Sequence, residues 1–140
     1  MKILITGATG FVGKELLKSI GDHDLLLLVR RKIKSCHEVI VQELDQVTDY
    51  RPLMVDVDIV IHLAALVHQM GGDDESNIKK YLEFNTSVTE NLFRCAKDMK
   101  VKHFIFLSSI KVNGENTHAQ SPFTSLDLPK PKGSYAYSKF

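Results

Sequence analysis

Tyr135 and Lys139 stand four residues apart, in Y-x-x-x-K spacing, near the end of a 140-residue chain. On a helix, residues four apart share a face, so a phenol and an ammonium can converge on one substrate oxygen. A free tyrosine titrates near pH 10 and is a poor base at neutrality, whereas a neighbouring ammonium favours the phenolate. Ser109 follows the apolar run at 104–107, where a hydroxyl can donate to or accept from the same oxygen. By itself the Tyr135/Lys139 pair is also what an ordinary amphipathic helix yields. Ser109 and the glycine turn described next favour acid–base chemistry.

Thr6-Gly7-Ala8-Thr9-Gly10-Phe11-Val12-Gly13 places glycines at 7, 10 and 13, between an apolar run and a helical pattern. The spacing is G-x-x-G-x-x-G rather than the ordinary G-x-G-x-x-G dinucleotide fingerprint, but the physics is similar. Glycine allows a tight turn and a close backbone approach to a pyrophosphate, and the following helix offers free N–H groups and a favourable dipole. The alternative is a turn that only connects two elements. Dinucleotide folds commonly hold the ribose 2′-OH with an acid about 20 residues further on. Here that place reads Val29-Arg30-Arg31-Lys32. An acid repels a 2′-phosphate, while the planar fork of Arg30 or Arg31 can pair with it. NADP is therefore expected over NAD, against the alternative of a solvated basic strand end.

These groups need elements to carry them. Lys2–Thr6 and residues 25–29, 39–41, 59–63 and 104–107 are continuous apolar runs, read as strands. Phe11–Ile20 reads as a helix with Val12, Leu16, Leu17 and Ile20 on its apolar face, and 75–98 as a longer one carrying Tyr81, Phe84, Val88, Leu92 and Ala96. Continuous apolar strands imply a sheet covered on both faces, and strands alternating with helices imply parallel βαβ units. The expected fold is α/β, a Rossmann-like doubly wound parallel sheet of about five strands in the order 3-2-1-4-5. Residues 113–134 hold Gly114, Pro122, Pro129, Pro131 and Gly133 and read as a functional loop.

Composition narrows the function. With 44% hydrophobic and 25% charged residues the chain is an ordinary globular domain, and its net charge of +1 gives no electrostatic case for a nucleic-acid partner. Cys36 and Cys95 lack CxxC spacing, so neither a metal site nor a disulfide framework is expected. The first apolar run is too short for a signal segment, and no run approaches the roughly 18 residues of a membrane span. A cytoplasmic location with free thiols is expected.

Five motifs in order resemble the extended short-chain dehydrogenase/reductases, of the NAD-dependent epimerase/dehydratase kind that includes UDP-glucose 4-epimerase-like nucleotide-sugar epimerases. They are the glycine turn at 6–13, Ile61-His62-Leu63-Ala64-Ala65, Phe84-Asn85-Thr86, Ser108-Ser109-Ile110-Lys111-Val112-Asn113-Gly114 and Tyr135-Ala136-Tyr137-Ser138-Lys139. The resemblance implies that Tyr135 is the general acid/base, that Lys139 orients the nicotinamide ribose and tunes Tyr135, and that Ser109 is the catalytic hydroxyl, with Ser108 one place early. It implies a cofactor site of Thr6, Gly7, Gly10, Phe11, Val12, Gly13, Arg30, Glu43, Leu44, Leu63, Ala64, Ala65, Asn85, Tyr135 and Lys139. Glu43-Leu44 stands where the family usually has Asp-Leu against adenine, and Asn85 matches a helix asparagine that holds backbone near the cofactor. Tyr137 reads as packing and His62 as a satisfied near-core histidine. Val67 stands where UDP-galactose-type epimerases often carry lysine, and residues 62–70 look instead like a subgroup acting on UDP-N-acetylhexosamines.

The implied function is the cofactor-binding part of an NAD(P)-dependent nucleotide-sugar C4 epimerase, acting on a UDP-hexose or UDP-N-acetylhexosamine through a 4-keto intermediate. An NADPH-dependent C4 reductase of a UDP-4-keto-6-deoxy-N-acetylhexosamine is the alternative. A non-catalytic NAD(P) sensor is a third reading, disfavoured by the Tyr/Lys pair. The resemblance further implies that residues 1–140 are a Rossmann domain incomplete at its C-terminal end, without the substrate domain of a parent expected to be a homodimer. A final helix stopping one residue after Lys139 is expected to fray, leaving Tyr135 unplaced and the chain inactive.

Overall fold

The computed structural model describes residues 1–20, 22–67, 75–117 and 121–140. His68, Gln69 and Met70, part of the stretch behind the subgroup resemblance, lie outside them, as do residues 118–120 of the long loop. The chain runs β1 (Lys2–Thr6), α1 (Phe11–Ile20), β2 (Asp24–Val29), β3 (Glu38–Val41), β4 (Ile59–His62), α2 (Glu75–Tyr81), a π-helical segment (Leu82–Ser87), α3 (Val88–Asp98), β5 (His103–Phe106) and α4 (Gly133–Lys139). All strands are parallel, in the order β3-β2-β1-β4-β5. This is the expected Rossmann-like sheet.

Central β1 pairs on both edges: Ile5 faces Leu27 of β2 and Ile61 of β4. Its side chains alternate between two apolar layers, as a doubly covered sheet requires. Ile3 and Ile5 join Leu25, Leu27 and Val29 beneath Leu16, Leu17 and Ile20 of α1. Leu4 joins Leu26, Leu28 and Val60 beneath Val88, Leu92, Cys95 and Ala96 of α3. Tyr50 is wholly buried in that second layer, and its hydroxyl donates to the Asp45 carbonyl at 3.1 Å. Cys36 is exposed and Cys95 buried, both as free thiols.

Several boundaries and roles differ from expectation. β4 ends at His62 and β5 at Phe106, one residue short of the apolar runs. Leu63 and Leu107 each donate one last N–H to the neighbouring strand before the chain turns away. Val12 is 46% exposed rather than part of the core face of α1. The single helix expected over 75–98 is interrupted by the wide π turn, where the Val88 N–H donates five residues back to Glu83. α4, expected to fray, is a formed and docked helix. Among the described residues no helix is long and apolar enough to cross a membrane, and no group of three His, Cys, Asp or Glu could hold a metal ion.

Candidate functional site

A cavity of about 500 Å³ opens at the carboxyl ends of β1, β2, β4 and β5, the edge where open α/β sheets bind ligands. Its lining comprises Gly7, Thr9, Gly10, Phe11, Val12 and Gly13 of the turn, Leu28, Val29 and Arg30 after β2, Gln42 and Leu44 after β3, Leu63 to Val67 after β4, Phe84, Leu107 and Ser108, and Tyr135 and Lys139 of α4. A shallower recess of about 410 Å³ continues past Leu44, Leu66 and Phe84 towards Asp45, Lys80 and Glu83.

The three glycines have separable jobs. Gly7 sits at φ +74°, and a Cβ there would lie 2.5 Å from the Ala64 nitrogen. At Gly13 a Cβ would run into the Gly7 carbonyl oxygen and lie 2.7 Å from the Ala8 Cα. Both are needed to bring the turn against β4 and α1 against the turn. At Gly10 a Cβ meets only the Gly7 oxygen, at 3.2 Å, and otherwise points into open space. Gly10 is thus kept bare on the cavity side, beside the N-terminus of α1. That is the approach an anionic pyrophosphate needs, with free helix N–H groups to receive it.

Below the cavity runs a continuous chain of hydrogen bonds. Thr6, wholly buried, accepts from the Ala64 N–H (3.3 Å) and donates to His62 Nδ1 (2.6 Å). The other ring nitrogen, Nε2, lies 3.0 Å from the Thr89 hydroxyl, whose own proton goes to the Asn85 carbonyl. A carbonyl only accepts, so the network assigns His62 as the neutral Nε2–H tautomer. Burial, then the charge of Lys139, holds its pKa down at about 4. The Asn85 side chain accepts from the Leu66 N–H (2.7 Å) and donates to the Leu66 carbonyl and the Ser138 hydroxyl, both at 2.9 Å. It clamps the cavity wall from inside. His62 is a satisfied near-core residue, as expected.

α4 delivers Tyr135 and Lys139 to the cavity. Tyr135 lines the cavity with its ring edge-on to Tyr81 at 6.1 Å. Lys139 is 4% exposed, with Nζ 4.1 Å from the centre of the Phe106 ring. Burial lowers its pKa to about 8, which leaves the ammonium charged at neutral pH. Phe106 in turn stacks on His62, with centroids 5.9 Å apart.

Some expected site residues stand elsewhere. Thr6 and Asn85 lie under the cavity and support it rather than line it. Glu43 is exposed and outside the lining, where Gln42 takes the place beside Leu44. Ser109 is half-buried and accepts the Lys111 N–H at 3.3 Å; Ser108 is the serine on the cavity, and it donates to the Lys139 carbonyl at 3.0 Å. Tyr137, expected to pack, is 60% exposed. Thr89, Phe106 and Ser138 were not singled out by the sequence. Only the apolar run holding Phe106 and the motif string holding Ser138 point near them, since each acts through a contact distant in the chain.

Residues 3–140 match the profile of the NAD dependent epimerase/dehydratase family. A UDP-glucose 4-epimerase of Vibrio cholerae is 38% identical across 98% of this chain, which covers 43% of that protein. Among solved structures, MoeE5 in complex with UDP-glucose and NAD superposes with a TM-score of 0.84 at 25% identity, over 99% of this chain and 46% of its own. The UDP-glucuronic acid 4-epimerase of Bacillus cereus in complex with NAD gives 0.82 at 26% identity, over 99% and 49%. The chain spans about half the length of these relatives.

Proposed function

The chain belongs to the NAD dependent epimerase/dehydratase family, and we propose that it is the dinucleotide-binding part of a nucleotide-sugar C4 epimerase acting on a UDP-hexose or UDP-N-acetylhexosamine. One observation carries the reading: a bare Gly10 beside a helix N-terminus shares one cavity with Tyr135 and Lys139. The residues fit a dinucleotide, because the cradle is open where a Cβ would fill it. Gly7, Gly10, Phe11, Val12 and Gly13 would hold the pyrophosphate, Leu44 the adenine side, and Leu63, Ala64 and Ala65 the wall.

When bound, the nicotinamide supplies a hydride acceptor and donor. Tyr135 takes the proton of the sugar C4 hydroxyl and returns it after the 4-keto sugar has turned its other face. The Lys139 ammonium keeps positive charge beside that phenol. On the resemblance alone, Ser109 is proposed as the hydroxyl donor to the same oxygen; the serine that lines the cavity is Ser108. The resemblance implies that sugar-selecting residues lie in the part of the relatives' length that this chain does not span, and the 140 residues alone are proposed to give no measurable sugar turnover.

NADP is proposed over NAD, because Arg30 rather than an acid lines the cavity at the end of β2. An NADPH-consuming C4 reductase is the second reading, favoured by that same arginine. Titration with NADP and NAD tests the cofactor reading. The chain should bind NADP more tightly, and Arg30→Asp should reverse the ratio. An unchanged ratio removes Arg30 as the reader, and no binding of either removes the dinucleotide reading. In the whole protein, stoichiometric consumption of NADPH over many turnovers would replace the epimerase with the reductase.

A further inference from the structure

We propose that Ser138 is a positioning residue that fixes the rotation of α4 about its axis and so aims Tyr135 and Lys139 into the cavity. α4 has only seven residues, too few to be stable as an isolated helix. It carries two stripes at four-residue spacing. Ser134 and Ser138 are buried at 4% and 3% exposure, and Tyr135 and Lys139, one residue later on each turn, line the cavity. One residue is about 100° of helix rotation, so whatever fixes the serine stripe fixes the reactive stripe.

Beside the bond that Ser108 gives to Lys139, two bonds from the π segment converge on Ser138. Its hydroxyl accepts from Asn85 Nδ2 at 2.9 Å and donates to the Tyr135 carbonyl at 2.8 Å. Its carbonyl accepts from the Thr86 hydroxyl at 3.1 Å. Asn85 and Thr86 are neighbours within the π segment, and both side chains reach the same residue of α4. Asn85 also clamps both backbone groups of Leu66 in the cavity wall. Asn85 therefore ties the wall to the helix that carries the Tyr135/Lys139 pair, and Ser138 is the α4 end of that link.

The test rests on the dinucleotide reading and is built to separate the two. Affinities for NADPH and for its adenosine half, 2′,5′-ADP, are measured by calorimetry on the unmodified chain, Ser138→Ala and Ser138→Thr. Only NADPH has a nicotinamide end to reach Tyr135 and Lys139. Ser138→Ala should weaken NADPH binding about tenfold, equivalent to about 1.4 kcal/mol, and leave 2′,5′-ADP within about twofold. Ser138→Thr, which keeps the hydroxyl, should restore NADPH. Amide exchange without ligand gives the independent readout: in Ser138→Ala it should accelerate across 135–140 and stay unchanged in β1 and β4. Equal weakening of both ligands, no weakening, or exchange that is uniform or unaltered would overturn the assignment. If the unmodified chain binds neither ligand, the NADP reading fails, and the exchange pattern alone decides Ser138.

Discussion

The two ends of the cavity are built on opposite principles. At the glycine turn, what matters is what is missing: Gly7 and Gly13 let backbone lie against backbone, and Gly10 leaves room at a helix N-terminus. At the α4 end, what matters is what is present: buried Asn85 and Ser138, with half-buried Thr86 and exposed Ser108, hold a seven-residue helix by side-chain hydrogen bonds. A cradle made by absence is local in the chain and tolerates no added atom. A seat made by polar side chains joins distant segments, and each lost partner strands another buried group. The His62 chain connects the two, running from Ala64 beside the turn to Asn85 beneath α4.

The contrast can be broken most forcefully at the cradle. Gly13→Ala should cost about 3 kcal/mol or more by overpacking against backbone that has nowhere to move, a fall in melting temperature of about 10 °C for a domain of this size. A melting temperature within two or three degrees of the unmodified chain would mean that α1 can shift away from the turn.

Acid should act next, through the connecting histidine. Above its ordinary value of 6.5 the His62 ring is neutral in both folded and unfolded chains, and stability is full. As pH falls from 6.5 towards 4, the unfolded ring takes up a proton that the folded ring refuses, so stability declines across that window. Below about 4 the loss reaches on the order of 3 kcal/mol. Melting followed from pH 7 to 4, with His62 ring signals in parallel, checks both the sign and the window. A ring that titrates near 6.5 contradicts the neutral network.

Asn85→Ala should cost about 2 kcal/mol, and the damage should be confined to the α4 end. Amide exchange should accelerate at Leu66 and through α4, while the amides of β1 and β2 stay protected. Uniform acceleration would show that the seat and the cradle are one unit rather than two.

How much of this was legible follows from the same contrast. The glycine turn could be read from spacing, because its chemistry lies within eight consecutive residues and depends on residue type alone. The sheet order followed from apolar runs alternating with helical ones. Tyr135 and Lys139 reach the cavity as their spacing implied. What spacing could not show is which of two adjacent residues turns inward at a strand end. Ser108 rather than Ser109, and Gln42 rather than Glu43, line the cavity because β5 and β3 end short of the residues that carry the motifs. The π turn was equally hidden, since one extra residue per turn leaves the apolar pattern on either side intact. Ser138 and Thr89 act through partners 53 and 27 residues away, and no local pattern marks such pairings.

The most direct test of the account is titration of the unmodified chain and Gly10→Ala with NADPH, followed by nicotinamide fluorescence, with both melting temperatures measured alongside. One saturable site is expected on the unmodified chain, and a loss of binding in Gly10→Ala while its melting temperature stays within about 3 °C, as a change of under about 1 kcal/mol implies. No saturable binding by the unmodified chain, or undiminished binding by Gly10→Ala, would contradict it.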